Sequence, residues 1–589
     1  MGEEMDAPGA GWLTWRAAAA LAVAAWLALH VAARVADALW WRPRRLEAHF
    51  AAQGVRGPPY RFLLGSVKEM VGLMAEASAK PMSPATSHNA LPRVLAFYHY
   101  WRKIYGPTFL IWFGPTPRLT VAEPELVREI FLTRAEAFDR YEAHPVVRQL
   151  EGDGLVSLHG DKWALHRRVL TDAFYSDNLN RLVPHVGRSV AALAEKWRAM
   201  AAAGGSGEVE VDVAEWFQVV TEEAITRATF GRSYDDGRVV FAMQGRLMAF
   251  ASEAFRKVLV PGYRFLPTKK NWQSWKLDRE IRRSLTRLIA RRSDEAEAEK
   301  AGDDGAFRDL LGAMINAGDR KTRAPSAIPV EDMLEECKTF FFAGKQTTTN
   351  LLTWATVLLA MHPEWQERAR REVLDVCGPD ELPSKEHLPK LKTLGMIMNE
   401  TLRLYPPAVA TIRRAKTDVQ LSDGCIIPRD MELLVPIMAI HHDTRFWGQD
   451  AAQFNPAAVR RRHGQGGEAP PRVHPLRPGL PDVHRPEPCP AGGQAHHGDP
   501  APALRDADLA QLRARADGPD APLPAVRSAG DLPAAISSSV GSGSVIARHS
   551  SFPCPKPPHI LLSKILTKSF HKAGLRTCGP PQKKNIGHV

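Results

Sequence analysis

The feature that most constrains the fold of this chain is an abrupt change in residue composition at Ala458. Before it, long amphipathic runs with helical spacing alternate with short strand-like pieces, which predicts a mainly α fold with small β-sheets. After it, Arg, Pro, Gly and His recur without periodicity, and residues 458–589 contain only two aromatic residues, Phe552 and Phe570. Such a segment cannot bury enough apolar surface to offset the loss of chain entropy. We therefore predict a folded body over 46–457 and a disordered tail over 458–589.

The composition excludes several classes of protein. Apolar residues make up 44% of the chain, which indicates a globular body. The net charge of +12 suits nucleic acid, an anionic membrane surface or an acidic protein partner. No nucleic-acid recognition motif accompanies the charge, so we do not expect nucleic-acid binding. The six cysteines are scattered without a Cys-x-x-Cys pair, which argues against a disulfide framework and against a zinc site.

Residues 1–45 have the pattern of a membrane anchor followed by a basic flank. The stretch from Ala17 to Leu29 is uncharged and apolar, and a helix needs about 20 such residues to span a bilayer. Arg34 and Asp37 interrupt its far end, so a helix lying in the membrane interface is an alternative. The arginines that follow predict a cytoplasmic body by the positive-inside rule. The flanking tryptophans, which favour the membrane interface, are Trp12, Trp15, Trp40 and Trp41.

A long apolar helix, predicted from Met333 to about Leu359, carries a group of small and polar residues. Small side chains at positions 343 and 344 would let a flat ligand approach the helix backbone. A threonine at 347 can donate a hydrogen bond to the carbonyl at 343, which loosens the helix and leaves room for a bound oxygen molecule or water. A glutamine at 346 can order a water but carries no charge. The residues in question are Ala343, Gly344, Gln346 and Thr347.

Two further motifs have helical spacing. Trp163 and Arg167 lie four residues apart and so share one helix face. Glu400 and Arg403 form an i,i+3 pair on a helix that ends before Pro406. Each motif is common on solvated helices when it occurs alone, and only their combination is informative.

Together, these segments resemble the cytochrome P-450 family of haem-thiolate monooxygenases. Residues 340–348 resemble the oxygen-binding helix of the family, 400–407 its Glu-x-x-Arg helix, and 163–167 its Trp-x-x-x-Arg helix. The resemblance extends over roughly residues 55–457. It implies the P-450 fold for the body and a haem cofactor, although the C-terminal part of that fold is missing.

The resemblance also implies roles for individual side chains. The residues on the long helix would manage oxygen and protons, and the Glu-x-x-Arg pair would support the haem-binding core as part of a buried triad with a downstream arginine. The implied catalytic residues are Thr347, Gln346, Ala343 and Gly344; the implied propionate-binding residues are Trp163, Arg167 and Arg413, with Arg414 as the alternative to Arg413; and the structural pair is Glu400 and Arg403.

Partners and substrate follow from the same resemblance. Members of the family at the endoplasmic reticulum take electrons from an NADPH-dependent reductase and oxidise hydrophobic small molecules. Residues 57–62 and the segment FFAGKQTTTNLLTW resemble the plant clan that includes brassinosteroid-inactivating hydroxylases. We therefore expect C-26 hydroxylation of a steroid hormone for an intact member.

The cysteine loop that supplies the axial thiolate in this family is absent from the sequence. The family pattern is Phe-x-x-Gly-x-Arg-x-Cys-x-Gly, and the nearest cysteine, Cys489, lies in Pro-Glu-Pro-Cys-Pro. No glycine turn there would direct backbone N–H groups to the sulfur. We accordingly predict no metal ligand in this chain, and the alternative to an active enzyme is a membrane-tethered protein without haem.

The genetic code offers an explanation for the missing loop. Permitted codons for residues 468–494, read one nucleotide later, give KHPLAFIPFGLGSRTCIGQNLALLEA, which contains the whole loop. The same offset at Ala458 gives Arg-Phe. First and second codon positions are fixed for most of these residues, so the match is constrained. We hypothesise a frameshift beside Ala457, with the lost cysteine codon straddling Val483 and His484.

Overall fold

The computed structural model describes residues 10–80, 87–141, 148–149, 151–174, 176–204, 207–255, 267–298, 309–317, 328–379 and 381–458. Except for Ala458, the predicted disordered tail lies outside the described residues, and so does Cys489.

Helices make up most of the described chain, as predicted. The N-terminal helices are α1 Ala10–Ala36, α2 Arg42–Ala52, α3 Val67–Ala79, α4 Leu91–Val94, α5 Ala96–Tyr105 and α6 Pro124–Arg128. The central helices are α7 Gly160–Thr171, α8 Ser176–Ala203, α9 Val213–Phe230, α10 Tyr234–Phe255, α11 Lys269–Ala298 and α12 Leu310–Asn316. The last helices are α13 Val330–Met361, α14 Pro363–Cys377, α15 Lys392–Leu404, α16 Ile437–His441 and α17 Thr444–Trp447.

Seven short strands complete the described fold. They are β1 Phe109–Phe113, β2 Thr116–Thr120, β3 Phe138–Arg140, β4 Thr411–Ala415, β5 Val419–Gln420, β6 Ile426–Ile427 and β7 Glu432–Val435. Five form one sheet in the order β1-β2-β7-β4-β3, and β5 pairs with β6. Only β2 and β7 run parallel; the other neighbours are antiparallel. The predicted fold class, mainly α with small sheets, is confirmed.

The buried apolar side chains of the described residues form four clusters, and helix α13 contributes residues to all four. Trp354 and Leu358 belong to the largest cluster, which also holds the five-stranded sheet. Phe341 lies in the second cluster, Leu352 in the third and Ala355 in the fourth. Complete burial of one large apolar side chain contributes about 1.5–3 kcal/mol to folding. Helix α13 is therefore held from several sides, which fixes the position of the polar residues that it carries.

The structure has no break at the predicted boundary between residues 45 and 46. A π-helical turn, Asp37–Trp41, joins α1 to α2, and α2 runs across that boundary. Pro43 and Phe50 are buried against the body. The reason is local: the α2 sequence RPRRLEAHFAA is rich in good helix formers, and an apolar ring at its far end can enter the core. The basic flank is thus continuous with the body.

One helix in the described part of the chain, from Trp15 to Ala52, is long and apolar enough to cross a membrane. Its apolar window has no burial against the rest of the protein. Tyr60, just beyond the helix, donates a hydrogen bond of 2.6 Å from its hydroxyl to the carbonyl of Leu39. The helix therefore leaves the body as a projecting apolar rod, with its base fixed to the folded part.

Candidate active site

The polar segment of α13 contains the hydrogen bond that its sequence suggests. Thr347 Oγ1 donates to the Ala343 carbonyl oxygen at 2.5 Å, one turn earlier. Thr349 and Thr353 make the same kind of bond, to Lys345 and Thr349, at 2.8 and 2.7 Å. Threonine hydroxyls that bond to the preceding turn compete with the helical hydrogen bonds and tend to bend the helix. The segment thus combines a deformable backbone with half-buried hydroxyl groups.

Gly344 has a different surrounding from the one its sequence suggests. A Cβ atom at this position would meet Ile225 of α9, with Cδ1 at 2.5 Å and Cγ1 at 2.7 Å. The side of Gly344 on which a side chain would project is therefore filled by a neighbouring helix. The absence of a side chain allows α9 and α13 to approach closely, and this packing explains the glycine without a ligand. The sequence suggested a flat ligand beside Gly344 and did not reveal this helix contact, because Ile225 is far away in the sequence.

Gln346 is buried, with 7% of its surface exposed. Its Nε2 donates a hydrogen bond of 3.0 Å to Asn350 Oδ1, four residues along the helix. This bond orients the amide group and leaves its carbonyl oxygen as the acceptor for another donor. The adjacent Lys345 forms an ion pair with Glu222 of α9. Asn350 and the ion pair are thus polar features of this segment that sequence reasoning missed.

Trp163 and Arg167 lie on α7, close to two strands that carry further arginines. Arg140 of β3 is the cross-strand partner of Arg413 of β4. The Arg140 guanidinium carbon lies 5.2 Å from the centre of the Trp163 ring. Burial, and then the positive charges of Arg413 and Arg167, lower the pKa of Arg140 to about 10. The structure therefore brings the three predicted residues together and adds Arg140; we call these four residues the arginine cluster.

Arg414, the alternative to Arg413, faces another partner. Its Nη2 lies 2.6 Å from Asp430 Oδ1, in an ion pair that is more than one third exposed on both sides. Adjacent strand residues point to opposite faces of a sheet, so only one of the two arginines can join the cluster. That residue is Arg413, whose guanidinium carbon lies 4.4 Å from the centre of the Phe131 ring.

Helix α7 is also joined to α13 by a buried polar contact. His166 Nδ1 lies 2.7 Å from Glu336 Oε1, and Glu336 is fully buried. The other oxygen of Glu336 accepts the backbone N–H of Leu155 at 2.9 Å. Arg140 donates to the carbonyls of Leu155 and Val156, the second at 3.2 Å. One loop thus connects the arginine cluster to α13, and sequence reasoning missed both His166 and Glu336.

Glu400 and Arg403 of α15 form a buried pair with 1% and 3% of their side chains exposed. Arg403 donates twice to Glu400, at 2.7 and 2.8 Å. It also donates to three backbone carbonyls, those of His441, Ala451 and Gln453. In turn, Glu400 accepts the N–H of Asn455 at 3.0 Å. The pair therefore organises the chain from 441 to 455 through main-chain atoms.

The arginine cluster fits one end of a haem group. Trp163 Nε1 is buried and has no hydrogen-bond partner within the described part of the chain. An unsatisfied buried donor is costly, and a nearby carboxylate would satisfy it. The three guanidinium groups near this donor can form charge-assisted hydrogen bonds with the two propionates of haem. The residues that would hold the propionates are Trp163, Arg140, Arg167 and Arg413.

An axial thiolate has no counterpart among the described residues. Their three cysteines, Cys337, Cys377 and Cys425, are all buried. Burial raises the pKa of the Cys337 thiol, and it raises that of Cys425 to about 11. A metal ligand needs the thiolate form, which these environments disfavour. The described ranges also contain no group of three or more His, Cys, Asp or Glu residues suited to a metal ion.

Comparison with known proteins assigns the family. The sequence model of the cytochrome P450 family matches residues 92–464, more than half of the chain. The chain is 86% identical over 458 residues to Cytochrome P450 734A2 from Oryza sativa subsp. japonica, covering 76% of this chain and 82% of that protein. It is 58% identical over 422 residues to Cytochrome P450 734A1 from Arabidopsis thaliana, covering 71% and 78%. By sequence and by fold, the chain belongs to the cytochrome P450 family of haem monooxygenases.

Proposed function

We propose that the gene for this chain encodes a monooxygenase that hydroxylates a steroid-like substrate, with C-26 of a brassinosteroid as the expected position. The observation that carries this proposal is the convergence of Trp163 with Arg140, Arg167 and Arg413, a site suited to the two carboxylates of haem. The relatives named Cytochrome P450 734A2 and 734A1 support the assignment to a plant clan. The steroid itself rests on the resemblance of residues 57–62 and of the α13 segment.

In this proposal the protein positions the groups that surround the reaction. Bound haem would supply the oxygen-activating chemistry. The arginine cluster would orient it through its carboxylates. Thr347 would hold a water or bound oxygen molecule and relay a proton, because its hydroxyl can donate and accept. Gln346, fixed by Asn350, would order a water without changing its own charge.

We further propose that the chain as printed does not hold haem through a thiolate. The described cysteines are all buried, burial raises the pKa of the Cys337 and Cys425 thiols, and the family match ends at residue 464, close after Ala457. On this view the printed chain is a haem-less, membrane-tethered product of a shifted reading frame. Sequencing the genomic DNA and the transcript across codons 457–494 tests the frameshift. Codons that do not encode the cysteine loop in the next frame would refute it.

The carbon monoxide difference spectrum of the reduced protein tests haem ligation. We expect no thiolate-type Soret band from the printed chain and a clear one from a chain in which the frame is restored after Ala457. The restored chain with its loop cysteine changed to serine is the matched control. A thiolate band from the printed chain would overturn the haem-less assignment.

The substrate is tested with the frame-restored chain. We propose that an NADPH-dependent reductase at the endoplasmic reticulum membrane supplies its electrons, with the body on the cytoplasmic side. Reconstitution with such a reductase and a brassinosteroid should give a product that is heavier by one oxygen atom, located at C-26 by fragmentation. Oxidation only at another carbon, or only of non-steroid lipids, would contradict the substrate assignment while leaving the family unchanged.

A further inference from the structure

Two large aromatic rings stack face to face where α13 passes the end of α15. The rings of Trp354 and Tyr405 are centred 3.7 Å apart, and their planes differ by only 8°. Both residues are buried in the largest apolar cluster. Indole and phenol rings are rich in π electrons, so each can give up one electron to a strong oxidant, and this contact lets an electron pass between them.

The hydroxyl group of Tyr405 is hydrogen-bonded to a base. It lies 2.9 Å from His88 Nδ1, and His88 is itself buried. Burial raises the pKa of Tyr405, which keeps the phenol protonated, and it lowers the pKa of His88 to about 4, which keeps the imidazole neutral. A phenol that loses an electron becomes a strong acid, so it must pass its proton to a base at hydrogen-bond distance. His88 is the base in that position.

A chain of polar groups continues from His88 to the protein surface. His88 Nε2 lies 3.2 Å from His362 Nε2, and His362 Nδ1 lies 3.5 Å from Glu364 Oε1. The Glu364 side chain is 62% exposed. A carboxylate only accepts hydrogen bonds, so with both imidazoles neutral each one donates towards Glu364 and accepts from the side of Tyr405. We call Tyr405, His88, His362 and Glu364 the proton path.

Packing accounts for the stacked rings but not for the proton path. A buried tyrosine needs only one hydrogen-bond partner for its hydroxyl group. Here the partner is the first member of a chain that leads outwards, with donors and acceptors in one consistent direction. This arrangement can move a proton from the buried phenol of Tyr405 to solvent.

Helix α13 connects the stacked rings to the residue that is expected to handle oxygen. Trp354 follows Thr347 by two helical turns, so both residues lie on one face of α13, about 10 Å apart along its axis. Trp354 is also the only tryptophan or tyrosine of this helix. A monooxygenase generates a strong oxidant to attack a C–H bond, and without substrate this oxidant can take an electron from the protein instead.

We propose that Tyr405 is a redox-active tyrosine that receives oxidising equivalents from α13 through Trp354. The oxidant gains one electron from Trp354, which regains one from Tyr405. The Tyr405 O–H bond breaks and its proton moves to His88 Nδ1, while His88 Nε2 releases a proton to His362 and His362 Nδ1 releases one to Glu364. The products are a neutral tyrosyl radical, a singly reduced oxidant and one protonated carboxyl group.

This route would protect the active site. An oxidising equivalent that meets no substrate is moved to a buried tyrosine, away from Thr347 and Gln346. The proposal rests on the monooxygenase activity only for the source of the oxidant. The ability of the chain to carry out the oxidation needs no haem and is tested without it.

Photo-oxidation of the printed full chain in detergent provides that test. Flash-quenched ruthenium tris(bipyridine) supplies the one-electron oxidant, and transient absorption with electron paramagnetic resonance identifies tyrosyl and tryptophanyl radicals. We expect a long-lived tyrosyl signal that disappears in Tyr405→Phe. Tyr100→Phe, at a residue that is 50% exposed, is the matched control and should keep this signal. Equal long-lived signals in wild type and Tyr405→Phe would overturn the proposal.

Removal of the base separates the proton transfer from the packing. His88→Phe keeps an aromatic ring but accepts no proton, so oxidation should stop at Trp354. We expect the tyrosyl signal to fall several-fold, the tryptophanyl signal to rise, and the slowing in deuterated buffer to vanish. If His88→Phe does not fold, His362→Gln, at a half-buried position, interrupts the path further out and should change the two signals in the same directions. An unchanged ratio of the two radicals in the folded variant would contradict the proton path.

The chain in which the frame is restored after Ala457 shows whether the route is used. Hydrogen peroxide is added without substrate, and the sample is frozen rapidly for electron paramagnetic resonance. We expect a tyrosyl radical that Tyr405→Phe abolishes, together with several-fold more oxidised residues on α13 in that variant by mass spectrometry. A thiolate-type Soret band without a Tyr405-dependent radical would overturn the protective role. Failure of the proposed function would instead remove the Soret band and leave the photo-oxidation result intact.

Discussion

Arg403 and Arg140 both lie largely away from solvent, but their electrostatic surroundings differ in kind. Arg403 faces one carboxylate and three backbone carbonyls, so its donors and its charge are matched within the protein. Arg140 donates to two backbone carbonyls and faces no paired carboxylate in the described part of the chain; burial, and then the positive charges of Arg413 and Arg167, lower its pKa. A closed network of the first kind serves the fold. An anion would relieve the mutual repulsion of a group of like charges, so we propose that the second kind serves a ligand.

The largest expected effect on the free energy of unfolding concerns the buried network of Glu400 and Arg403. Glu400→Gln keeps the size of the side chain but leaves Arg403 charged and buried without its counter-ion. Removal of one partner from a buried pair costs about 3–5 kcal/mol of the free energy of unfolding. Denaturant unfolding of the full chain, followed by tryptophan fluorescence, measures the loss. Glu195→Gln breaks an exposed i,i+3 pair with Arg198 and should have no measurable effect. Equal unfolding midpoints for the two variants would contradict the comparison.

The second-largest expected effect is a dependence of the free energy of unfolding on pH. Burial, followed by the charges of His362 and Arg403, lowers the pKa of His88 from 6.5 to about 4. The pKa of His88 is lower in the folded protein than in the unfolded chain. The contribution of neutral His88 to the free energy of unfolding is therefore complete above about pH 6.5 and is lost as the pH falls towards 4. A shift of this size corresponds to roughly 3 kcal/mol.

Substitution of His88 shows how much this residue contributes to the pH dependence of the free energy of unfolding. His88 accepts or donates a 2.9 Å hydrogen bond with the Tyr405 hydroxyl, and the buried His441 and His442 have lowered pKa values as well. His88→Asn should therefore flatten, but not abolish, the fall in unfolding free energy between pH 6.5 and 4. His159→Asn, at an exposed position, should leave the profile unchanged. An unchanged profile for His88→Asn would show that the other histidines account for the acid sensitivity.

A smaller effect is expected in the arginine cluster. Arg140→Gln should weaken the binding of metal-free protoporphyrin IX, which carries both propionates, by about tenfold, because one charge-assisted hydrogen bond is lost. Quenching of porphyrin fluorescence measures the dissociation constant without any axial ligand. Arg414→Gln removes an arginine that lies on the same strand as Arg413 but is paired with Asp430, and this variant should bind like wild type. Equal weakening in both variants would indicate a general charge effect.

The smallest effect comes from the indole of the same cluster. Trp163→Phe keeps the ring and removes the buried Nε1 donor, and a neutral hydrogen bond contributes about 0.5–1.5 kcal/mol. We expect porphyrin binding to weaken by about threefold. Trp197 also has a buried Nε1 without a partner in the described part of the chain, but it packs in the third apolar cluster. Trp197→Phe should therefore leave porphyrin binding unchanged, and a loss equal to that of Trp163→Phe would refute the assignment.

Short-range patterns in the sequence are sufficient for much of the fold. The predicted helix from Met333 to Leu359 corresponds to α13, Val330–Met361, because apolar spacing along a helix is visible in any window of that length. The bond between Thr347 and Ala343 is equally local. The Glu400–Arg403 pair follows from i,i+3 spacing, although its carbonyl partners do not.

Contacts between distant segments were not predictable in the same way. Arg140 joins the site only through the register of β3 with β4, and no local pattern fixes that register. The contact of Gly344 with Ile225 depends on the packing of two helices. The helix that crosses the predicted boundary at residue 45 is a related case: the sequence marks the change in polarity, whereas the helix continues through it into contacts with the body.

The helix from Trp15 to Ala52 has a mechanical consequence. A membrane helix adapts to a thinner bilayer by tilting. Because this helix continues into α2, and because Tyr60 and Phe62 brace its base, such a tilt would rotate the body with it. Bilayer thickness would then set the orientation of the folded body relative to the membrane surface.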